Sequence, residues 1–219
     1  EIYMGDWSSD VCSSDLRVNY SYSDSSGYLN DPYKLLSVVD PVTGDTLARA
    51  PIGQGPDGAY LFESRPDTRT KQSLYAEVKH AFGAPVMHFA YRFMTDDWGI
   101  DSHTGEVRLR WPLGDGYIEP QLRYYTQSAA DFYRASLVGG AALPRYASAD
   151  FRLGDFDATT VGIKYGHGTA SGNEWSIRAE YYQQNGSVPR EQIIGNQANR
   201  DQYPDLSAVI VQFGYRFRL

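Results

Sequence analysis

The sequence predicts an all-β chain, an antiparallel up-and-down transmembrane β-barrel, on three observations. Segments of about ten residues alternate apolar and polar side chains, and a two-residue period puts one set on each face of a strand. The 219 residues are 14% aromatic with 18 Tyr, yet their mean hydropathy is −0.49 and they hold no apolar run long enough for a membrane helix. A barrel shows this because only alternate strand residues meet lipid while its loops are polar. Short and long connections also alternate along the chain, as in barrels with turns on one side of the bilayer and loops on the other. The net charge of −7 argues against a nucleic-acid surface, which must neutralise phosphates.

The elements follow in order. From Arg17 to Ser23, Val18, Tyr20 and Tyr22 share one side. A long loop is expected from Asp24 to about Thr70. Leu74, Ala76, Val78, His80 and Phe82 then oppose Tyr75, Glu77 and Lys79, and after the Gly83-Ala84-Pro85 turn Met87, Phe89, Tyr91 and Phe93 oppose His88 and Arg92, which makes a hairpin. Beyond Asp96-Asp97-Trp98-Gly99, Val107, Leu109, Trp111 and Leu113 oppose Glu106, Arg108 and Arg110, and Gly114-Asp115-Gly116 turns the chain. Ile118, Leu122 and Tyr124 alternate with Glu119, Gln121, Arg123 and Tyr125; Pro120 among them demands a bulge or a locally unpaired position. Val161, Ile163 and Tyr165 oppose Gly162 and Lys164, and Trp175, Ile177, Ala179 and Tyr181 oppose Arg178 and Glu180. Last, Val209, Val211, Phe213, Tyr215, Phe217 and Leu219 alternate with Ile210, Gln212, Gly214, Arg216 and Arg218. About eight strands result. The connections Ser128 to Asp150 and Asn185 to Asp205 are long, that at His167 to Asn173 is short, and Asp96 to Ser102 is short for its class.

The closing segment, with Phe213, Tyr215, Phe217 and Leu219 at alternate positions up to the terminus, resembles the C-terminal assembly signal of bacterial outer-membrane β-barrels. That resemblance implies the outer membrane of a Gram-negative bacterium, a periplasmic C-terminus, and outer-membrane lipid and the barrel-assembly machinery as partners. Met4 to Leu16 holds a near-repeat, Trp-Ser-Ser-Asp then Cys-Ser-Ser-Asp, without the charged start and apolar centre of a signal peptide. It resembles a translated sequencing-adapter run, so residues 1–16 are read as a non-native leader and the barrel portion as 17–219. Cys12, the one cysteine, falls in that leader, which leaves no disulfide or zinc-thiolate site to consider.

Tyr28-Leu-Asn-Asp-Pro-Tyr-Lys34, Arg65-Pro-Asp-Thr-Arg69, Tyr91-Arg-Phe-Met-Thr-Asp-Asp-Trp-Gly-Ile100, Arg123-Tyr-Tyr-Thr-Gln-Ser-Ala-Ala-Asp-Phe-Tyr133 and Asp150-Phe-Arg-Leu-Gly154 carry a second resemblance, over most of the chain from Arg17. Together they resemble a proteobacterial outer-membrane family catalogued as a domain of unknown function. Its members are considerably longer, which implies that this chain is the C-terminal portion of a larger barrel. The resemblance implies fold and location, and no activity, cofactor or catalytic residue.

A soluble barrel or sandwich would show the same period with the faces exchanged. Soluble strands usually run about five or six residues, shorter than these, and the polar face carries long charged side chains suited to a wet lumen. Trp111, Tyr165, Trp175, Tyr215 and Phe217 fall near strand ends on the apolar face, where interfacial aromatic girdles occur. By alternation the lumen holds Lys79, Arg92, Arg108, Arg110, Arg123, Lys164, Arg178, Arg216 and Arg218 against Glu77, Glu106, Glu119 and Glu180. Such a net basic lining favours small anionic solutes in a pore, whereas Arg and Glu pairing across a narrow barrel would plug it. The expectation is therefore a porin-like pore or transport barrel; the alternative is a structural or surface-binding, adhesive barrel with a plugged lumen.

Chemistry is not expected. His80 falls on the apolar face, His167 in a short turn and His88 in the lumen beside Arg92. Only Asp101-Ser102-His103 places three polar groups at the outer rim, with no nucleophile elbow or His-Glu-x-x-His pair. Asp96, Asp97 and Asp101 form an acidic cluster able to offer oxygens to Ca²⁺, but without the ligand spacing of a calcium loop. They read first as a solvated turn anchored by Trp98 at the membrane interface. Asp131-Phe132-Tyr133 and Asp150 to Asp157 read as loop and strand-start structure.

Overall fold

A computed structural model describes residues 13–47, 60–169 and 171–217. Cys12, Arg218 and Leu219, which carry sequence expectations, lie outside them. The chain is all-β: β1 (Ser14–Ser26), β2 (Leu35–Val39), β3 (Tyr60–Phe62), β4 (Thr68–Ala81), β5 (Val86–Asp96), β6 (Asp101–Leu113), β7 (Gly116–Gln127), β8 (Leu137–Val138), β9 (Asp155–Gly168), β10 (Glu174–Ser187) and β11 (Leu206–Arg216). Eight long strands form one antiparallel sheet in the order β1-β4-β5-β6-β7-β9-β10-β11. The strands β1 and β11 are its two edges, and among the described residues they do not pair with each other. No described helix is long and apolar enough to cross a membrane.

Register turns the alternation into two continuous faces. One row runs Leu16, Val78, Phe89, Val107, Leu122, Val161, Tyr181 and Val209, each residue paired with the next across the sheet. Every member of that row is exposed. The neighbouring row, one residue away, runs Arg17, Glu77, Ala90, Glu106, Arg123, Thr160, Tyr182 and Ala208 on the opposite face. Glu77 and Ala90 in it are buried. A two-residue period fixes this assignment, since a slip by one residue would exchange every side chain between faces.

Pro120 resolves as an unpaired position rather than a bulge. The β6–β7 ladder pairs Arg108 with Gln121 and Trp111 with Ile118, skips the positions between, and keeps its register. On its other side Pro120 stays paired with Ile163. The lost N–H thus costs local ladder contacts and does not bend the strand away.

The long connections are where the structure departs most from the sequence expectation. The strands run further than expected, with β1 starting at Ser14, inside the segment that the sequence reading set apart as a leader, and reaching Ser26, β4 starting at Thr68 and β10 reaching Ser187. Inside the supposed loops, β2 pairs with β3 and with β8 in a separate three-stranded sheet. Leu36, Val38, Leu137 and Ala147 form one small core there. Trp98, Ile100, Ala130, Phe132, Tyr133 and Leu153 form another. The connections are therefore a folded cap seated on the long-loop end of the sheet.

Trp98 belongs to that cap and is no interfacial anchor. It is buried, its Nε1 donates to the Thr68 carbonyl at 2.8 Å, its ring meets Phe132 edge-on at 5.1 Å, and the Arg69 guanidinium lies 4.4 Å above it. The turn that places it requires Gly99, whose φ is +83°. A Cβ there would also stand 2.4 Å from Asp131 Oδ1. Gly99→Ala is expected to lower stability by about 1–3 kcal/mol, the usual cost of a strained left-handed residue, read as a lower denaturation midpoint of the cap.

Candidate functional site

The polar face of the large sheet is its hollow side. A cavity of about 480 Å³ is lined by side chains from five successive strands of the sheet, including Arg108 of β6, Arg123 and Tyr125 of β7, Thr160 of β9, Arg178 of β10 and Ile210 of β11. Five neighbouring strands can line one cavity only if the sheet curls toward it. A second hollow of about 220 Å³ lies beside it, between Tyr75, Arg92, Glu106 and Arg123.

The structure places the described lumen candidates on this face and ties several of them together. Glu77 lies 3.5 Å from Lys79 Nζ and 3.4 Å from His88 Nδ1. Glu106 Oε1 lies 2.8 Å from Arg108 Nε, an ion pair whose N–H is not aimed at the oxygen. Arg178 reaches Glu180 at 3.3 Å and Glu119 at 3.8 Å, while the Gln121 amide donates to Glu180. Arg216 donates to Glu174 at 2.8 Å, and the Tyr117 hydroxyl donates to the same carboxylate at 2.9 Å.

Four of the expected cations have no carboxylate within 4.0 Å among the described residues: Arg92, Arg110, Arg123 and Lys164. Arg110 instead lies 3.6 Å above the Tyr117 ring, Lys164 lies 5.4 Å from the same ring, and Arg92 lies 5.6 Å from Tyr75. Cation–π contact holds these groups without neutralising them.

Tyr117 is buried against Gly166, where a Cβ would come within 2.3 Å of its ring. Sequence reasoning missed Glu174, Tyr117 and Tyr182 on this face. The signal was present, because Glu174 stands four residues before Arg178 in the same alternation.

The rim triplet does not assemble. Successive strand residues point to opposite faces, so Ser102 is buried on the polar side while His103 faces out, with Nδ1 2.6 Å from the Tyr91 hydroxyl and its ring 5.1 Å from Phe93. A nucleophile and base on opposite faces cannot exchange a proton. The carboxylates of the Asp96 turn are spent on the chain. Asp96 Oδ2 accepts from Arg69 Nε at 2.8 Å, its Oδ1 accepts the Trp98 and Ile100 N–H groups, and Asp97 accepts from Thr70. Among the described residues no group of three His, Cys, Asp or Glu side chains could hold a metal ion.

A second polar cluster fastens the cap. Asp150, 0% exposed, accepts from Arg65 at 2.9 Å and from Arg152, with Lys34 Nζ at 3.7 Å. Buried Glu63 accepts from Arg65 at 2.8 Å and from the Ser148 hydroxyl at 2.5 Å. Burial alone would raise the Asp150 pKa, but the hydrogen bonds from Arg152 and Arg65 outweigh it and hold the carboxyl at about 2. Burial pushes the Tyr203 phenol up to about 12; its hydroxyl donates to the Phe151 carbonyl at 2.8 Å and accepts from Gln184 at 3.1 Å. Each of these groups has a partner in the chain, so the cluster is a structural lock.

The class the fold and site define is an all-β chain whose antiparallel meander carries an exposed apolar face and a hollow, charged one, with a cap built from its long connections. The chain belongs to the family described as protein of unknown function (DUF3570), whose model matches residues 13–217. No curated protein and no solved structure matches it.

Proposed function

We propose that this chain forms the wall of a barrel in the outer membrane of a Gram-negative, proteobacterial cell, with a pore or transport role for small anionic solutes. The observation that carries it is the row from Leu16 to Val209, apolar across eight strands and exposed throughout, backed by a charged hollow. Contiguous apolar surface of this extent is rare on water-soluble monomers, and lipid is the solvent that suits it. Near the short-turn ends the aromatic rings cluster, Tyr165 on Trp175 at 5.4 Å and Tyr215 on Phe217 at 4.7 Å, as a membrane-interface girdle would. Toward the cap, outward positions turn polar at Gln72, Thr126, Asp157 and Gln183, which suits strands that rise out of the bilayer and carry the cap outside. In this reading the C-terminus is periplasmic, and lipid and the barrel-assembly machinery are the partners.

Two long open edges are untenable in hydrocarbon, where each unpaired backbone group costs several kcal/mol. Closure of the sheet is therefore part of the proposal. Within the closed wall, Arg92, Arg110, Arg123 and Lys164 supply uncompensated positive charge, which favours anions.

The second reading, a plugged structural or adhesive barrel, draws on the ion pairs Glu106–Arg108, Glu119–Arg178 and Glu174–Arg216, which cross-link the lumen side chains, and on the cap above them. Single-channel recording of the intact protein in a planar bilayer under a salt gradient separates the two. Conductance with an anion-selective reversal potential is expected. Silence or cation preference ends the anion-pore reading.

A further inference from the structure

We infer that the larger hollow of the polar face is a binding site for a monocarboxylate with a flat apolar body, its carboxylate held by Arg123; this rests on the lumen reading above and gives that lumen its solute class. Three guanidinium groups line the cavity. Arg108 is committed to Glu106 and Arg178 to Glu119 and Glu180, whereas Arg123 has no carboxylate within 4.0 Å among the described residues. Its register partner across the ladder is Glu106, which is already taken by Arg108. A planar guanidinium left without its anion, on the wall of a hollow, is a fork that matches a carboxylate.

The neighbours decide the rest of the ligand. Glu106 and Glu180 stand in the same lining, so a second negative charge on the ligand would meet repulsion, and a monoanion is preferred. Next to Arg123 along the strands the lining is aromatic and apolar: Tyr125, two residues further on β7, and Phe156 of β9 have rings 5.4 Å apart, tilted by 37°, Ala158 faces Tyr125 across the ladder, and Ile210 lies across the ladder from Glu180. The Tyr125 and Tyr182 hydroxyls donate to Gln127 at 2.6 Å and Gln184 at 2.8 Å, which fixes both rings in place. The cavity of about 480 Å³ falls within the range of small-molecule sites.

Equilibrium dialysis of the intact protein in detergent, referenced to protein-free micelles, tests this with benzoate, benzyl alcohol and acetate as probes. Benzoate is expected to bind saturably, and the other two at least about tenfold more weakly, since each lacks one half of the match. Arg123→Gln is expected to weaken benzoate at least about tenfold, the size of one charge-assisted hydrogen bond, and to leave benzyl alcohol unchanged. Arg145→Gln, which removes an exposed cap charge, is expected to keep wild-type benzoate affinity. Equal binding of benzyl alcohol and benzoate, or full benzoate affinity in Arg123→Gln, overturns the site. Binding of benzoate by a barrel that shows no conductance supports the site while removing the pore. Anion conductance without benzoate binding removes the site and leaves the pore standing.

Discussion

Asp150→Ala is expected to unfold the cap at about 3–5 kcal/mol, the usual cost of removing one partner from a buried charge cluster. The carboxylate is fully buried and gathers Arg65 and Lys34 from segments far away in sequence, together with Arg152 two residues further on. Without it, Arg65 keeps Glu63 but loses a charge-assisted bond, and the 3-10 turn at Phe151–Leu153 loses its N-cap. Asp150→Asn keeps the shape and can still accept from the Arg152 N–H, so it is expected to cost less than alanine. Hydrogen exchange over residues 128–154 reads both changes, and exchange equal to wild type in Asp150→Ala would show that the lock is not where the cap is held.

The same group sets a pH dependence. Its folded pKa of about 2 lies below the ordinary value of 3.8, so its contribution is complete above about pH 4 and is lost as pH falls toward 2. A shift of that size corresponds to roughly 2 kcal/mol. Cap protection in the wild type is expected to fall between pH 4 and pH 2, and the difference between wild type and Asp150→Asn to vanish over the same interval. A difference that stays constant across it would contradict the assignment.

The long strands were legible because one rule, alternation, determines both their existence and their faces. In β9, Val161, Ile163 and Tyr165 against Gly162 and Lys164 leave little else to decide. The cap was not legible for the opposite reason. Its strands are two to five residues long, too short for a period to register, and its core forms only when distant segments meet. Arg65 and Asp150 are 85 positions apart and Asp31 and Arg152 are 121 apart. Trp98 illustrates the consequence: an aromatic beside three aspartates looks interfacial until Phe132 and Leu153, from another connection, are seen to enclose it. At the candidate site the face of each charge was readable, but its partner was not. Alternation places Arg123, Arg108 and Glu106 together, while which arginine takes the glutamate depends on side-chain geometry across the ladder.

Ile163→Arg is expected to destabilise the protein by about 2–4 kcal/mol in phospholipid vesicles, the cost of arginine on the lipid face of a barrel near mid-bilayer. Ile163 lies in the middle of β9, between Pro120 and Ala179 on the apolar face, and is 50% exposed. That exposure makes the test decisive. Were this face in water, arginine at a half-exposed position would change stability by no more than about 0.5 kcal/mol. Thr160→Arg, on the same strand with the opposite parity, points into the hollow of about 480 Å³ and is expected to be tolerated there. Denaturant titration of both variants in vesicles therefore asks one question of two faces with one side chain. A large loss at Ile163 with little change at Thr160 assigns hydrocarbon to the apolar face and water to the polar one. The reverse order would mean that the apolar face packs inward against protein, and the membrane wall, the pore and the lumen site would all fall together.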